Sequence, residues 1–279
     1  NGRWTLARRL LAGLCFALFA TLGTIIVLLF GMTLWTIFVV TVLLACPIAI
    51  ARAFIAGAQP LPLPLGLIPA TRGITLNWMA PFYDGMCRMM GFGREFRHRT
   101  MDVAALKPGD QVLDVGCGTG VLTILAAQRV GAAGRAVGID PAAAMIWAAL
   151  ENEARVRSGA EFQPGAIEAL AFDDASFDVA IASVVLHHLP PDLKPQGLRE
   201  VLRVLKPGGR FVIVDIDRPR SPLWWLVAWP LLILPHTRLH LRGRVADYLR
   251  DAGFDPIEVS ASWAGVLTFW TAHKPNSVQ

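Results

Sequence analysis

The sequence predicts an α/β domain built on a seven-stranded, mostly parallel sheet covered by helices on both faces, with two transmembrane helices ahead of it. Three observations carry this. From Asp110 onward apolar strand-like runs alternate with helical patterns, the signature of a parallel sheet. The first of these strands runs into a glycine-rich turn, VLDVGCGTG at Val112–Gly120. Upstream, the 42 residues from Leu10 to Ala51 contain no Asp, Glu, Lys, Arg or His.

At about 1.5 Å per residue such a run extends roughly 63 Å as helix, about twice the ~30 Å hydrocarbon core of a bilayer. Two spans fit, near residues 10–30 and 33–54, broken at Gly31-Met32-Thr33. The run is too long for the apolar region of a cleaved signal peptide. Arg3, Arg8 and Arg9 precede the first span and Arg52 ends the second, so both ends of a hairpin are expected in the cytoplasm. A hairpin buried in a globular core is the alternative. The expected organisation is a membrane hairpin at 1–56, a spacer at 57–76 and a catalytic domain at 77–279. Pro60, Pro62, Pro64 and Pro69 keep the spacer out of helix and sheet.

Within the domain, residues 77–106 read as a lid of one or two helices. Strands are expected at 111–115, 135–139, 161–164, 177–183 and 210–215, with a closing pair at 256–262 and 266–273. Helices are expected at 121–130, 142–158, 195–204 and 243–251. No internal repeat is present.

The turn Asp114-Val-Gly-Cys-Gly-Thr-Gly120 ends a strand and opens a helix, where an open α/β sheet binds ligands and where glycine lets a ligand approach the backbone. The dinucleotide spacing G-x-G-x-x-[GA] fails from Gly116, because position 121 is Val, and from Gly118, because position 123 is Thr. A P-loop fails for lack of Gly-Lys-Ser/Thr. A nucleoside without a pyrophosphate is the ligand this loop favours, against a plain strand-to-helix turn. Twenty residues beyond Gly120 the second strand ends at Asp140, whose carboxylate can accept both hydroxyls of a ribose. Asp140 can equally cap the next helix, with Pro141 at its first position.

Over residues 77–273 the chain resembles the class I S-adenosylmethionine-dependent methyltransferases, through VLDVGCGTG, GID at 138–140, FDDASFDVAIASVVLHHL at 172–189 and LREVLRVLKPGGRFVIVDI at 198–216. The resemblance implies a Rossmann-like methyltransferase domain with S-adenosylmethionine as cofactor. It implies that Gly116, Cys117, Gly118 and Gly120 line the methionine part, that Asp114 orients the loop or the amino acid moiety, and that Asp140 and Pro141 serve the ribose. Adenine would lie near Ala166 and Ile167, and Ser183 beside the methyl-transfer site. Within this group the chain is most similar to the ubiquinone and menaquinone C-methyltransferases, through Tyr83-Asp84-x-Met86, Met90, Phe92 and Gly93. It departs from them at Cys87, at Gly91 and at His187-His188, where they carry Arg-Asn. Bacterial phospholipid N-methyltransferases share much of the same scaffold.

Carbon methylation of a phenolic ring needs a base, and His187, His188, Asp217 and Tyr83 are the candidates, with Asp215 a local hydrogen-bonding residue. An amine acceptor needs none. The His pair can also be an ordinary turn with one packed and one solvated imidazole. After the fifth strand, the insertion at 218–242 carries Trp224, Trp225 and Trp229 among Arg218, Arg220, Arg238 and Arg242. It reads as a monotopic segment opening the site to the bilayer, or as a buried lid.

Composition limits the partners. The chain is 54% hydrophobic with a mean hydropathy of +0.49, too apolar for an ordinary soluble enzyme. The net charge of +5 suits anionic lipid headgroups, and no aromatic-basic stripe points to nucleic acid. The four scattered cysteines give neither a disulfide framework nor a metal site. The expected protein is a membrane-anchored methyltransferase acting on a lipid-soluble acceptor, either a prenylated quinone precursor or a phospholipid amine. Its partners would be the bilayer, the acceptor and possible membrane proteins. The alternative is an accessory subunit of a membrane complex with a vestigial site.

Overall fold

Each of the inner strands is hydrophobic on both sides, and the structure uses both. In the computed structural model, which describes residues 70–228, 232 and 235–276, seven strands form one sheet in the order β3-β2-β1-β4-β5-β7-β6. The strands are β1 Gln111–Val115, β2 Arg135–Asp140, β3 Glu161–Pro164, β4 Phe177–Ser183, β5 Leu205–Ile216, β6 Ile257–Trp263 and β7 Leu267–His273. The first five are parallel, while β7 runs antiparallel to both β5 and β6. Leu113, Ala180 and Ile213 point to one face and Val112, Val179 and Val212 to the other, each into its own buried cluster. That alternation on a two-sided sheet is why strands of this kind read as continuous apolar runs.

The helices are α1 Tyr83–Met89, α2 Arg94–Ala104, α3 Val121–Val130, α4 Ala143–Val156, α5 Leu193–Val204, α6 Pro222–Ala228, α7 Pro235–Arg238 and α8 Val245–Asp251. In the region expected to form a lid, a 3-10 turn at Asn77–Phe82 leads into α1 and α2. The inner end of α2 is fastened to the sheet, because Arg210 on β5 donates to the carbonyls of Ala104 (2.9 Å) and Ala105 (2.8 Å). β5 is longer than expected, since Lys206-Pro-Gly-Gly209 continues the strand across an irregularity in the β4 pairing.

The chain separates into two compact units, 1–62 with 81–83 and 63–80 with 84–279. Of the first, the described residues are Pro81–Tyr83. The expected hairpin at 1–56 and most of the proline spacer lie outside the described residues. Among the described residues no helix is long and apolar enough to cross a membrane.

The insertion after β5 contains two short helices, α6 and α7, in keeping with its prolines. Its described tryptophans, Trp224 and Trp225, are half-buried. A Cβ built on Gly265 in the β6–β7 turn would fall 2.1 Å from the Trp224 indole nitrogen, and Trp225 packs on a third buried cluster around Phe96, Val214 and Phe269. Both rings are half-buried against the end of the sheet. Trp229 lies outside the described residues. Arg218, Arg220, Arg238 and Arg242 are exposed.

The contact between β2 and α3 is close enough to require glycine. A Cβ on Gly138 would lie 2.6 Å from Thr123 Oγ1 and 2.9 Å from both Cys117 Cβ and Phe162. Gly138→Ala should therefore destabilise the fold by about 1–3 kcal/mol through overpacking, measured by urea unfolding. Unchanged stability would mean that this layer can relax.

Candidate active site

The carboxyl ends of β1, β2, β4 and β5 form one edge, and the strand order reverses between β1 and β4, where open α/β sheets place ligands. The glycine loop occupies this edge. Gly116, Gly118 and Gly120 all take positive φ, at 70°, 55° and 79°, a conformation that side chains resist. Gly116 and Cys117 donate their N–H groups to Ile139 O at 2.8 and 2.9 Å, fixing the loop against β2. Two of the glycines are demanded by the protein itself: a Cβ at 116 would strike Val185 at 2.5 Å, and one at 120 would strike the Phe162 ring at 2.6 Å. Cys117 is half-buried, and burial next to Asp140 and Asp114 pushes its thiol well up.

Asp140 ties the loop to the next helix. Its Oδ2 accepts from Gly118 N–H (3.0 Å) and its Oδ1 from Ala142 N–H (2.8 Å). The helix itself starts at Ala143, two residues later than the expected Pro141 start. Its Ala144 N–H is met by Asn77 Oδ1 of the lid at 3.1 Å, so part of the capping comes from a distant segment. Burial raises the Asp140 carboxyl to about 6, with the two backbone donors pulling the other way. At neutral pH it is ionised, and each oxygen keeps a lone pair for a ribose hydroxyl. The left-handed loop and this carboxylate fit S-adenosylmethionine.

Asp114 is buried and accepts from Thr123 Oγ1 at 2.6 Å. Burial lifts its carboxyl to about 7. Of its two expected roles, bracing the loop against α3 is the one its bond serves. Ala166 and Ile167 are both buried. The Ile167 side chain packs toward Gly197 on α5, where a Cβ would be 3.0 Å away, so what it offers an adenine ring is backbone. Ser183 ends β4 opposite Val214, half-buried.

The lid is pinned on the same edge. Thr119 of the glycine loop donates to Asp84 Oδ1 (3.1 Å), which also receives Arg97 (2.6 Å). Thr71 is bonded to Glu168, and Ile74 N–H donates to His188 O at 3.1 Å.

The most ordered polar cluster lies at the end of β5, around an acid that sequence reasoning treated as local. Asp215 is fully buried on the face shared with Phe211 and Ile213. Its Oδ2 accepts from Leu186 N–H (2.7 Å) and His187 N–H (3.3 Å), and its Oδ1 faces His187 Nδ1 at 2.9 Å. The chain reaches this position through Val184, a β-branched residue at φ 61°, a strained conformation of the kind that collects at functional sites. Although burial opposes it, the surrounding imidazoles hold the Asp215 carboxyl well below the usual range.

The four expected base candidates separate clearly. His187 has a side chain 12% exposed and an ordering carboxylate. His188 is stacked against it at 4.1 Å between ring centroids, and burial beside His187 drives its pKa down to about 3, too weak a base near pH 7. Asp217 is held by Thr268 Oγ1 at 2.8 Å and ties β5 to β7. Tyr83 opens α1 and belongs to the smaller unit. The signal for Asp215 was in VIVDI, where an acid shares the inward parity of Phe211 and Ile213. Among the described residues no group of His, Cys, Asp and Glu could hold a metal ion.

Asp140→Ala should weaken S-adenosylmethionine binding by about 2–4 kcal/mol, roughly 30- to 1,000-fold, through loss of two charge-assisted hydrogen bonds. Because the Asp140 carboxyl titrates at about 6, the affinity of the parent should be constant at alkaline pH and fall as pH drops through that value. Isothermal calorimetry across pH 5–8 checks both; an affinity indifferent to the substitution would remove Asp140 from the site.

A family model described as a methyltransferase domain matches residues 112–209. The chain is 38% identical over 149 residues to the 2-phytyl-1,4-naphtoquinone methyltransferase of Synechococcus elongatus, covering 52% of this chain and 63% of that relative, or just under two thirds of its length. It is 34% identical over 189 residues to the demethylmenaquinone methyltransferase of Desulfitobacterium hafniense, covering 65% and 74%. Its fold is similar to a SAM-dependent methyltransferase of Aquifex aeolicus, with a TM-score of 0.52 at 22% identity over 64% of this chain and 89% of that one. From the glycine loop, the strand order and these relatives together, the chain belongs to the class I S-adenosylmethionine-dependent methyltransferases and is related to the quinone methyltransferases.

Proposed function

We propose that the protein transfers a methyl group from S-adenosylmethionine to a ring carbon of a lipid-soluble quinol, with His187 as the general base. The observation that carries this reading is the 2.9 Å contact between His187 Nδ1 and Asp215 Oδ1. A carboxylate accepts and cannot donate, so it draws the imidazole proton to Nδ1 and leaves a lone pair on Nε2. The cofactor supplies an activated methyl group. What the protein must add is alignment, exclusion of water and, for a carbon acceptor, removal of a phenolic proton.

A phenol with a pKa near ~10 is ionised to only about one part in a thousand at neutral pH. His187 Nε2 takes the hydroxyl proton as the ring carbon becomes nucleophilic, Asp215 holds the resulting imidazolium, and the carbon that gains the methyl group then sheds its ring hydrogen as a proton to solvent, restoring the aromatic ring. Such a base contributes about 10²–10⁴-fold. An amine acceptor would leave this arrangement without a task, which favours the quinol over a phospholipid amine. The names of the two relatives support the same choice. The charge-free run Leu10–Ala51 supports membrane attachment, so that a prenylated acceptor is met at the bilayer.

His187→Gln should lower turnover of a short-prenyl 1,4-naphthohydroquinone by about 10²–10⁴-fold while leaving cofactor affinity unchanged. Mass spectrometry of the product should place the methyl on ring carbon. Methylation of phosphatidylethanolamine in its place would overturn the acceptor, and a full-rate His187→Gln would overturn the base. Absence of both cofactor binding and methyl transfer in the parent would return the accessory-subunit reading.

A further inference from the structure

Asp215 has a second imidazole. His240, fully buried, lies in the segment 235–244 that includes the last part of the insertion, and its Nδ1 is 3.4 Å from Asp215 Oδ1 and 3.3 Å from the Ile216 carbonyl. We propose that His240 is a positioning residue for the base: by donating to the oxygen that His187 also uses, it ties this segment to the orientation and basicity of His187. The proposal rests on the reading of His187 as base given above.

Both groups facing His240 Nδ1 are acceptors, so the proton on that nitrogen is fixed twice over. Its Nε2 is then a lone pair, and it is buried with no hydrogen-bond partner among the described residues. A buried acceptor left unsatisfied is a cost that a purely packing residue, a Leu or Phe, would avoid. The cost is retained where Nδ1 is needed. Asp215 Oδ1 already receives Ile216 N–H at 2.7 Å and His187 Nδ1 at 2.9 Å. A third donor spreads the carboxylate charge and reduces its pull on an imidazolium at His187. Loss of that donor would alter the hold of the Asp215 carboxylate on the His187 ring. The two rings stand edge to face at 6.5 Å, so they meet through the carboxylate.

The segment is anchored around this contact. Lys194 on α5 donates Nζ to His236 O at 2.6 Å, and Leu241 is buried in the third cluster with Val214. The ionisable groups around His240 are thus Asp215 on β5, His187 and His188 on the turn after β4, Lys194 on α5 with Tyr248 of α8 under its ammonium, and His236 on its own segment.

Two polar substitutions separate positioning from packing. In His240→Asn the amide nitrogen takes the place of Nδ1, whereas in His240→Gln it takes the place of Nε2. With the full chain, the short-prenyl naphthohydroquinone and melting curves as a folding control, His240→Asn should keep the acid limb of the kcat/KM–pH profile in place. His240→Gln should move that limb to higher pH and lower kcat/KM at neutral pH about 10- to 100-fold, the scale of losing a histidine's outer partner. An unmoved limb in His240→Gln, or equal shifts in both variants, would overturn the proposal. His187→Gln run alongside distinguishes the failures: if it retains full activity the base assignment itself is wrong, and if it is inactive while His240→Gln behaves as the parent, only the role of His240 is lost.

Discussion

A carboxylate sealed from water at the end of β5 is the constraint around which the catalytic edge is arranged. An isolated buried charge of this kind is prohibitive, and it survives only when surrounded by donors. Asp215 has them from its own strand and from the turn after β4, with His240 Nδ1 a further 3.4 Å contact. Satisfying it requires the backbone to bend back immediately after Ser183, which forces Val184 into its left-handed conformation and presents the N–H groups of Leu186 and His187. The placement of His187 is thus a consequence of solvating Asp215. The same requirement draws residues 235–244 over the end of the sheet.

A second carboxylate organises the cofactor end in a different way. Asp140 uses two backbone N–H groups to join the glycine loop to the start of α4, and burial leaves it a weaker acid than usual. Asp215 is held ionised by its donors, while Asp140 keeps spare acceptor capacity and titrates near the working range. In the proposed function these two acids on one sheet edge divide the work, one accepting from the cofactor and one orienting the base. The lid adds Asn77 and Asp84, which bond to Ala144 and Thr119 and close the edge from the amino-terminal side.

Much of this was legible in the sequence because strong local signals agreed with the fold. The seven strands, the helix after the glycine loop, the position of Asp140 at the end of β2 and the short helices ahead of β1 follow from periodicity and from a turn that only glycine can make. What was hidden depends on contacts across long separations. Asp215 looked like a strand-end residue, and Asp217, two positions on, looked the better base; only the register of β5 with β7 shows Asp217 spent on Thr268. His240 sits 53 residues from His187 in a stretch without regular pattern. The packing of Trp224 beside Gly265 and of Trp225 on the third cluster was equally hidden, because composition does not show which neighbours an indole meets.

The proposed base depends on the tautomer of one imidazole. With the full chain labelled in its histidine ring nitrogens, long-range nitrogen–proton correlation spectra at pH 8 should show His187 protonated at Nδ1 and bare at Nε2, with that preference lost in Asp215→Asn. A His187 ring carrying its proton on Nε2 in the parent protein would leave no lone pair toward the acceptor and would contradict its role as the base.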